Sequence, residues 1–166
     1  MRAAVILFFL STPLMAQNSQ NVALKDAKGK EVGQVQLTSL ANGVRVRLDL
    51  HSLPPGEKAL HFHETGSCKA PKFTSAGGHF APAKNPHGFD AEKGPHAGDM
   101  PNIFVGKDGR AKLEVINTQV TLGTGSNSLK KAGGTALVIH AAADDYKSQP
   151  AGNAGDRIAC GEIKGG

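Results

Sequence analysis

Between Leu60 and Asp99 the chain gathers more ligating side chains than one regular element can hold. The stretch opens on His61-Phe62-His63. It runs through Cys68, Gly77-Gly78-His79 and Pro86-His87-Gly88, and closes on His96-Ala97-Gly98-Asp99. Of the seven histidines, only His51 and His140 lie outside it. After Glu64 neither a helical nor a strand period survives until about Asn102. Irregular segments that long are uncommon in compact domains unless they are functional or disordered. The density of imidazoles points to a loop tied down by metal ions, because binding an ion stabilises a segment that has no core of its own. His61 and His63 stand two apart, so on a strand they share a face, roughly 6.6 Å from each other. Imidazoles so placed can converge on one ion through bonds of about 2 Å.

The rest of the chain reads as strands. Val44, Val46, Leu48 and Leu50 alternate with Arg45, Arg47 and Asp49, the pattern of a strand with one buried and one wet face. Further strands are expected at Val22–Leu24, Glu31–Leu40, Lys58–Glu64, Ile103–Val105, Arg110–Ile116, Ala136–His140 and Arg157–Ile163. Thr118–Leu122 reads either as more sheet or as a loop edge. Turns are expected at Asp26-Ala27-Lys28-Gly29, at Asn42-Gly43 and at Leu53-Pro54-Pro55-Gly56. No amphipathic helix, repeat or interdomain linker stands out. A second irregular loop runs from Ala141 to Asp156. Many short strands separated by turn signals predict an all-β sandwich or barrel.

Residues 1–16 read as a secretory leader: Met1-Arg2, an apolar run from Ala3 to Leu10, and a cut after Ala16. The apolar run is too short to span a membrane, and no cysteine stands at the cut to carry a lipid. Residues 17–166 then form a single domain of an exported protein, periplasmic in the first instance and extracellular as the alternative. The formal charge of +5 and pI of about 9.3 fit a soluble basic surface or an anionic substrate. There is no basic cluster with interleaved aromatics, which argues against nucleic acid. The two cysteines, Cys68 and Cys160, suggest one disulfide in an exported chain. Two thiols serving as metal ligands are the alternative, and the oxidising compartment favours the bond.

The ligand chemistry divides into two sets. His79, His87, His96 and Asp99, spaced H-x7-H-x8-H-x2-D, offer three imidazoles and a carboxylate, which suits tetrahedral zinc. His61, His63 and His140 offer three imidazoles and need a fourth; nitrogen-rich tetragonal sites favour copper. If His79 serves both ions, each of its ring nitrogens faces one metal. His51 lies outside both sets and carries no assigned role.

The segments LHFHETGSC, SAGGHF, HG, HAGDMPNI, LVIHAAADD and GNAGDRIACG together resemble the copper/zinc superoxide dismutases of the bacterial exported type. The resemblance implies a Greek-key β-sandwich or flattened barrel of about eight antiparallel strands, with two long irregular loops carrying the metals. It implies an oxidoreductase that converts superoxide to dioxygen and hydrogen peroxide. It implies copper on His61, His63, His79 and His140, and zinc on His79, His87, His96 and Asp99, with His79 as bridge and catalytic group. It implies that Asp144 links the rings of His61 and His87, that Arg157 docks the substrate anion, and that Cys68 and Cys160 are bonded. Without it, Asp144 reads as a turn residue and Arg157 as a surface arginine. Glu162 stands where eukaryotic members have an apolar dimer residue, so a monomer or a bacterial-type homodimer is expected. The second loop lacks the eukaryotic Glu and Lys pattern, leaving Lys147 as a candidate for guiding substrate. A metal-binding module without activity and a structural envelope protein are the rival classes; keeping every ligand and Arg157 argues for the enzyme.

Overall fold

The computed structural model describes residues 18–166, so the expected leader, residues 1–16, lies outside the described residues. The strands are β1 (Ser19–Asp26), β2 (Glu31–Leu40), β3 (Gly43–Leu50), β4 (Gly56–Lys58), β5 (Leu60–His63), β6 (Ile103–Val105), β7 (Ala111–Asn117), β8 (Thr135–His140) and β9 (Arg157–Ile163). The only regular helix among the described residues is a short 3-10 turn at Thr74–Ala76, and no helix there is long and apolar enough to cross a membrane. Seven strands pair antiparallel in the order β5-β8-β9-β1-β2-β3-β7, while β4 pairs with β6 alone. The sheet curls into a half-barrel. The last strand returns beside the first, next to the consecutive run β1-β2-β3, which is the ordering of a Greek key.

Alternation builds this sheet. Val44, Val46, Leu48 and Leu50 of β3 are buried, and Leu37 and Val35 of β2 and Leu24 and Val22 of β1 join them in one core. The wet face carries cross-strand pairs: Arg47 with Glu114, and Lys112 with Asp49 at 2.9 Å. Strands β5 and β8 do not alternate, because they are buried on both faces. Leu60, Phe62, Leu137 and Ile139 face the main core. Ala136 and Val138 pack outward against Phe73, Ala76 and Cys160 of a second, smaller cluster.

Two expectations need correction, and a third is decided between its alternatives. Lys58–Glu64 is not one strand. Ala59 breaks it, donating its N–H to Ala142 O (2.8 Å) and accepting from His140 N–H (3.0 Å), while β4 turns away to pair with β6. The hairpin between β2 and β3 turns on Ala41 and Asn42, one residue earlier than expected, since Leu40 pairs with Gly43. Thr118–Leu122 is a loop edge: Val120 and Leu122 are buried in the core, and its one ladder contact is Thr121 with Ser128.

Cys68 and Cys160 form a disulfide with Cα atoms 5.7 Å apart, across 92 residues of chain. It ties the irregular loop to β9 beside the smaller cluster.

Candidate metal centre

Strand β5 is the ruler of the site. Three backbone bonds lock two loop segments against it: Phe80 N–H donates to Phe62 O (2.8 Å), Gly98 N–H to Phe80 O (2.8 Å), and Phe62 N–H to Gly98 O (2.9 Å). The closed triangle brings His63 opposite His79 and His61 opposite Asp99. Gly98 has to be glycine there, because a Cβ would strike the Phe62 carbonyl. His140 arrives at the end of β8, which pairs directly with β5.

Two donor groups result. His61, His63, His79 and His140 offer nitrogens that all lie within 4.8 Å of one another; so do the donor atoms of His79, His87, His96 and Asp99. His79 belongs to both. His63 Nε2 and His140 Nε2 stand 3.4 Å apart. Around Asp99, His79 Nδ1 lies at 2.9 Å, His87 Nδ1 at 3.0 Å and His96 Nδ1 at 3.5 Å.

The other nitrogen of each ring shows which way the rings are set. His61 Nε2 meets Asp144 Oδ2 at 2.7 Å, and His87 Nε2 meets Asp144 Oδ1 at 3.0 Å. His63 Nδ1 meets Gly77 O at 3.0 Å, and His140 Nδ1 meets Gly155 O at 3.2 Å. With N–H donated outward, the lone pair of each ring faces inward, the arrangement that metal-ligating histidines require. His61 Nδ1, His79 Nε2, His87 Nδ1 and His96 Nδ1 are buried without a hydrogen-bonding partner; Asp99 is near two of them but out of line. An unsatisfied buried polar atom costs about 1–3 kcal/mol. Four of them gathered in one place fit a pair of bound ions. Gly152 (φ +64) closes over the Asp144–His87 contact, where a Cβ would fall on Asp144 Oδ1.

Charge follows the same division. Burial lowers the pKa of His63 to about 2 and of His140 to about 3, with neighbouring imidazoles adding to it. Burial also lowers His79 to about 4, against the pull of Asp99. These rings are neutral at physiological pH. His87 moves the other way, to about 9: burial opposes protonation, but the hydrogen bond to Asp144 and the negative charge of the adjacent Asp99 outweigh it. Burial works against the ionised carboxyls of Asp99 and Asp144 as well, yet the imidazole hydrogen bonds hold both well below the usual carboxylate range.

Arg157 begins β9 and is held by the disulfide loop. It donates to Phe73 O at 2.8 Å and to Gly77 O at 2.7 Å. Gly77 O is also the acceptor for His63, so one carbonyl sets both the arginine and an imidazole. Arg157 lies in the wall of an open groove of about 630 Å³ with Lys28 and Lys72. Lys147 is exposed, and its N–H donates to Asp145 in a local turn. Glu162 accepts from Cys68 N–H at 2.8 Å, so its carboxylate anchors the disulfide loop.

The structure brings His61, His63, His79, His87, His96, His140, Asp99 and Asp144 together and joins Arg157 to His63 through the Gly77 carbonyl, while Lys147 stands in an exposed turn and Cys68–Cys160 beside the smaller cluster. Sequence reasoning missed Asn102 and Gln149, treated below, and the carbonyls of Gly77, Gly155 and Phe73. A main-chain carbonyl carries no residue-type signal, and only the folded backbone can reveal it.

The chain resembles known proteins over most of its length. Residues 31–163 match the family described as copper/zinc superoxide dismutase. Copper-zinc superoxide dismutase 1 of Aquifex aeolicus is 53% identical over 139 residues, covering 82% of each chain. A superoxide dismutase-like protein from Bacillus subtilis superposes with a TM-score of 0.85 at 38% identity, over 89% of this chain and 99% of that one. The copper/zinc superoxide dismutase of Brucella abortus superposes with a TM-score of 0.74 at 28% identity, over 89% of this chain and 100% of its own. With the family profile spanning β2 to β9 and the histidine pattern folded into two donor groups around one shared ring, the chain belongs to the copper/zinc superoxide dismutase family.

Proposed function

We propose that this protein disproportionates superoxide, with copper held by His61, His63, His79 and His140 and zinc by His79, His87, His96 and Asp99. The observation that carries the reading is His79, which belongs to both donor groups, with Nδ1 2.9 Å from Asp99 and Nε2 buried without a partner. Bound copper supplies a one-electron cycle: one superoxide is oxidised to dioxygen, and a second is reduced and leaves with two protons as hydrogen peroxide. The chain's own residues do the rest. Asp144 orients His61 and His87 together, so the two donor groups are mechanically linked. His79 Nε2 is the atom able to hold a proton while Nδ1 stays anchored beside Asp99. Arg157 presents a fixed positive charge whose field already lowers the proton affinity of His63 and His140. Superoxide removal by protein loaded with both metals, measured beside a zinc-only sample, tests the assignment. Activity in the first alone is expected. An inert two-metal sample makes the protein a binding module instead.

Arg157→Ala is expected to slow catalysis at low salt by about tenfold or more and to flatten its salt dependence, with copper still bound. A rate equal to wild type at low ionic strength removes Arg157 from the mechanism. Zinc loading is expected to displace a proton from His87, because its pKa of about 9 leaves the ring charged at neutral pH in the metal-free chain. As pH falls below about 9, apparent zinc affinity should therefore drop, about tenfold per unit for one proton. Chelator competition between pH 6 and 9 reads the slope, and a flat profile contradicts it.

Export through a leader at residues 1–16 is part of the same reading, with the domain at 17–166 acting in the periplasm and protecting the envelope. Superoxide formed or arriving there is its substrate. The N-terminal sequence of protein recovered from a periplasmic extract tests this, and an intact Met1 there would refute the cut. The domain acts as a monomer or a bacterial-type homodimer, which sedimentation distinguishes.

A further inference from the structure

Two residues of the zinc-side donor assembly stand in irregular backbone. Among the described residues, no main-chain group hydrogen-bonds the main chain of His87 or Asp144. Both are instead gripped by amide side chains. Gln149 Oε1 accepts from His87 N–H at 2.9 Å, and Gln149 Nε2 donates to His87 O at 2.9 Å. Asn102 Oδ1 accepts from Asp144 N–H at 2.9 Å, and Asn102 Nδ2 donates to Asp144 O at 3.0 Å. A primary amide carries one acceptor and one donor group in a plane, so it can satisfy both main-chain groups of one residue, as a neighbouring strand would. The two arms cross. Gln149 reaches from the second loop to the first, and Asn102 reaches from the end of the first loop to the second. Asn102 is itself held, its N–H donating to the Tyr146 hydroxyl at 2.7 Å.

We propose that Asn102 and Gln149 are positioning residues, a reciprocal amide clamp that fixes His87 and Asp144 against each other and so sets the retention of zinc. The proposal rests on His87 being a zinc ligand. The clamp acts at the backbone, and the 3.0 Å contact between His87 Nε2 and Asp144 Oδ1 depends on both arms. The arms differ in reach. Of the metal-side residues Gln149 bonds only His87, with a further bond to Lys147 O at 3.1 Å in its own loop, whereas Asn102 holds the carboxylate that also orients His61.

Chelator competition on the full-length protein tests this, with zinc and copper titrated separately. Gln149 is exposed, so its variants are expected to fold. Q149A should lose about 10–100-fold in zinc affinity, the usual effect of removing a residue that orients a ligand, with copper affinity unchanged. N102A should weaken both metals. Q149E has the same size and keeps the acceptor, but it sets a carboxylate oxygen against His87 O, so it should resemble Q149A; a packing role would leave it like wild type. A zinc loss below about tenfold in Q149A, or an equal copper loss, overturns the clamp. Wild-type zinc affinity that H87A does not change would instead overturn the ligand assignment beneath it.

Discussion

Replacing His79 with alanine is expected to abolish dismutation, a fall of at least about 100-fold, and to weaken both metals at once. The size follows from its place. Its ring centroid lies 4.0 Å from that of His61, 4.9 Å from His63, 5.0 Å from His87, 5.5 Å from His96 and 6.0 Å from His140. Among the described residues, no other side chain belongs to both donor groups. Changing a residue that merely orients a ligand already costs about 10–100-fold in affinity or activity, and here a donor is lost from two groups in one substitution. Metal content by native mass spectrometry and the copper absorption spectrum supply readouts independent of rate. His96→Ala should lower zinc affinity and leave copper binding close to wild type, because His96 joins only one group. His51→Ala serves as a control, since that ring bonds Ser52 at 3.2 Å and belongs to neither group. A normal copper spectrum in His79→Ala would remove the bridge.

Opening the disulfide is expected to have the largest effect on stability. Cross-linking across 92 residues stabilises by about 4–5 kcal/mol in the chain-entropy description. For a domain of this size, that is a fall of roughly 10–15 °C in Tm for a Cys68→Ser, Cys160→Ser double variant. Calorimetry on the metal-free protein reads it without interference from bound ions. The same variant should also slow catalysis. Cys68 begins the segment whose carbonyls at Phe73 and Gly77 hold Arg157. Without the covalent tie, that segment is still held to β9 by Glu162 through the Cys68 N–H and by the small apolar cluster. A Tm within about 3 °C of wild type would show that those contacts suffice without the bond.

Much of this architecture was legible in residue order. The alternation in β3 predicted its buried and wet faces, because a two-residue side-chain period is a property of any strand. The histidines and Asp99 stood out by residue type and spacing, which divided them into two sets, and the resemblance completed the second set with His79. The two faces of β5 were less legible. Alternation puts His61 and His63 on one face but does not give its burial; both are fully buried, because the irregular loop covers that side. The break at Ala59 was not legible at all. Its cause is backbone pairing with Ala142 and His140, far along the chain, and main-chain donors look alike at every residue.

By itself, the order of residues settled which chemistry was available: imidazoles and a carboxylate in number enough for two ions, two cysteines, and strands with one apolar face. Side-chain type and short-range period suffice for that, since both are local properties. Only the folded chain decided how those groups are aimed. The triangle of backbone bonds on Phe62, the shared Gly77 carbonyl, and the amide arms of Asn102 and Gln149 all join segments distant in sequence. Their direction comes from where the backbone passes, and that is set by the packing of the whole barrel.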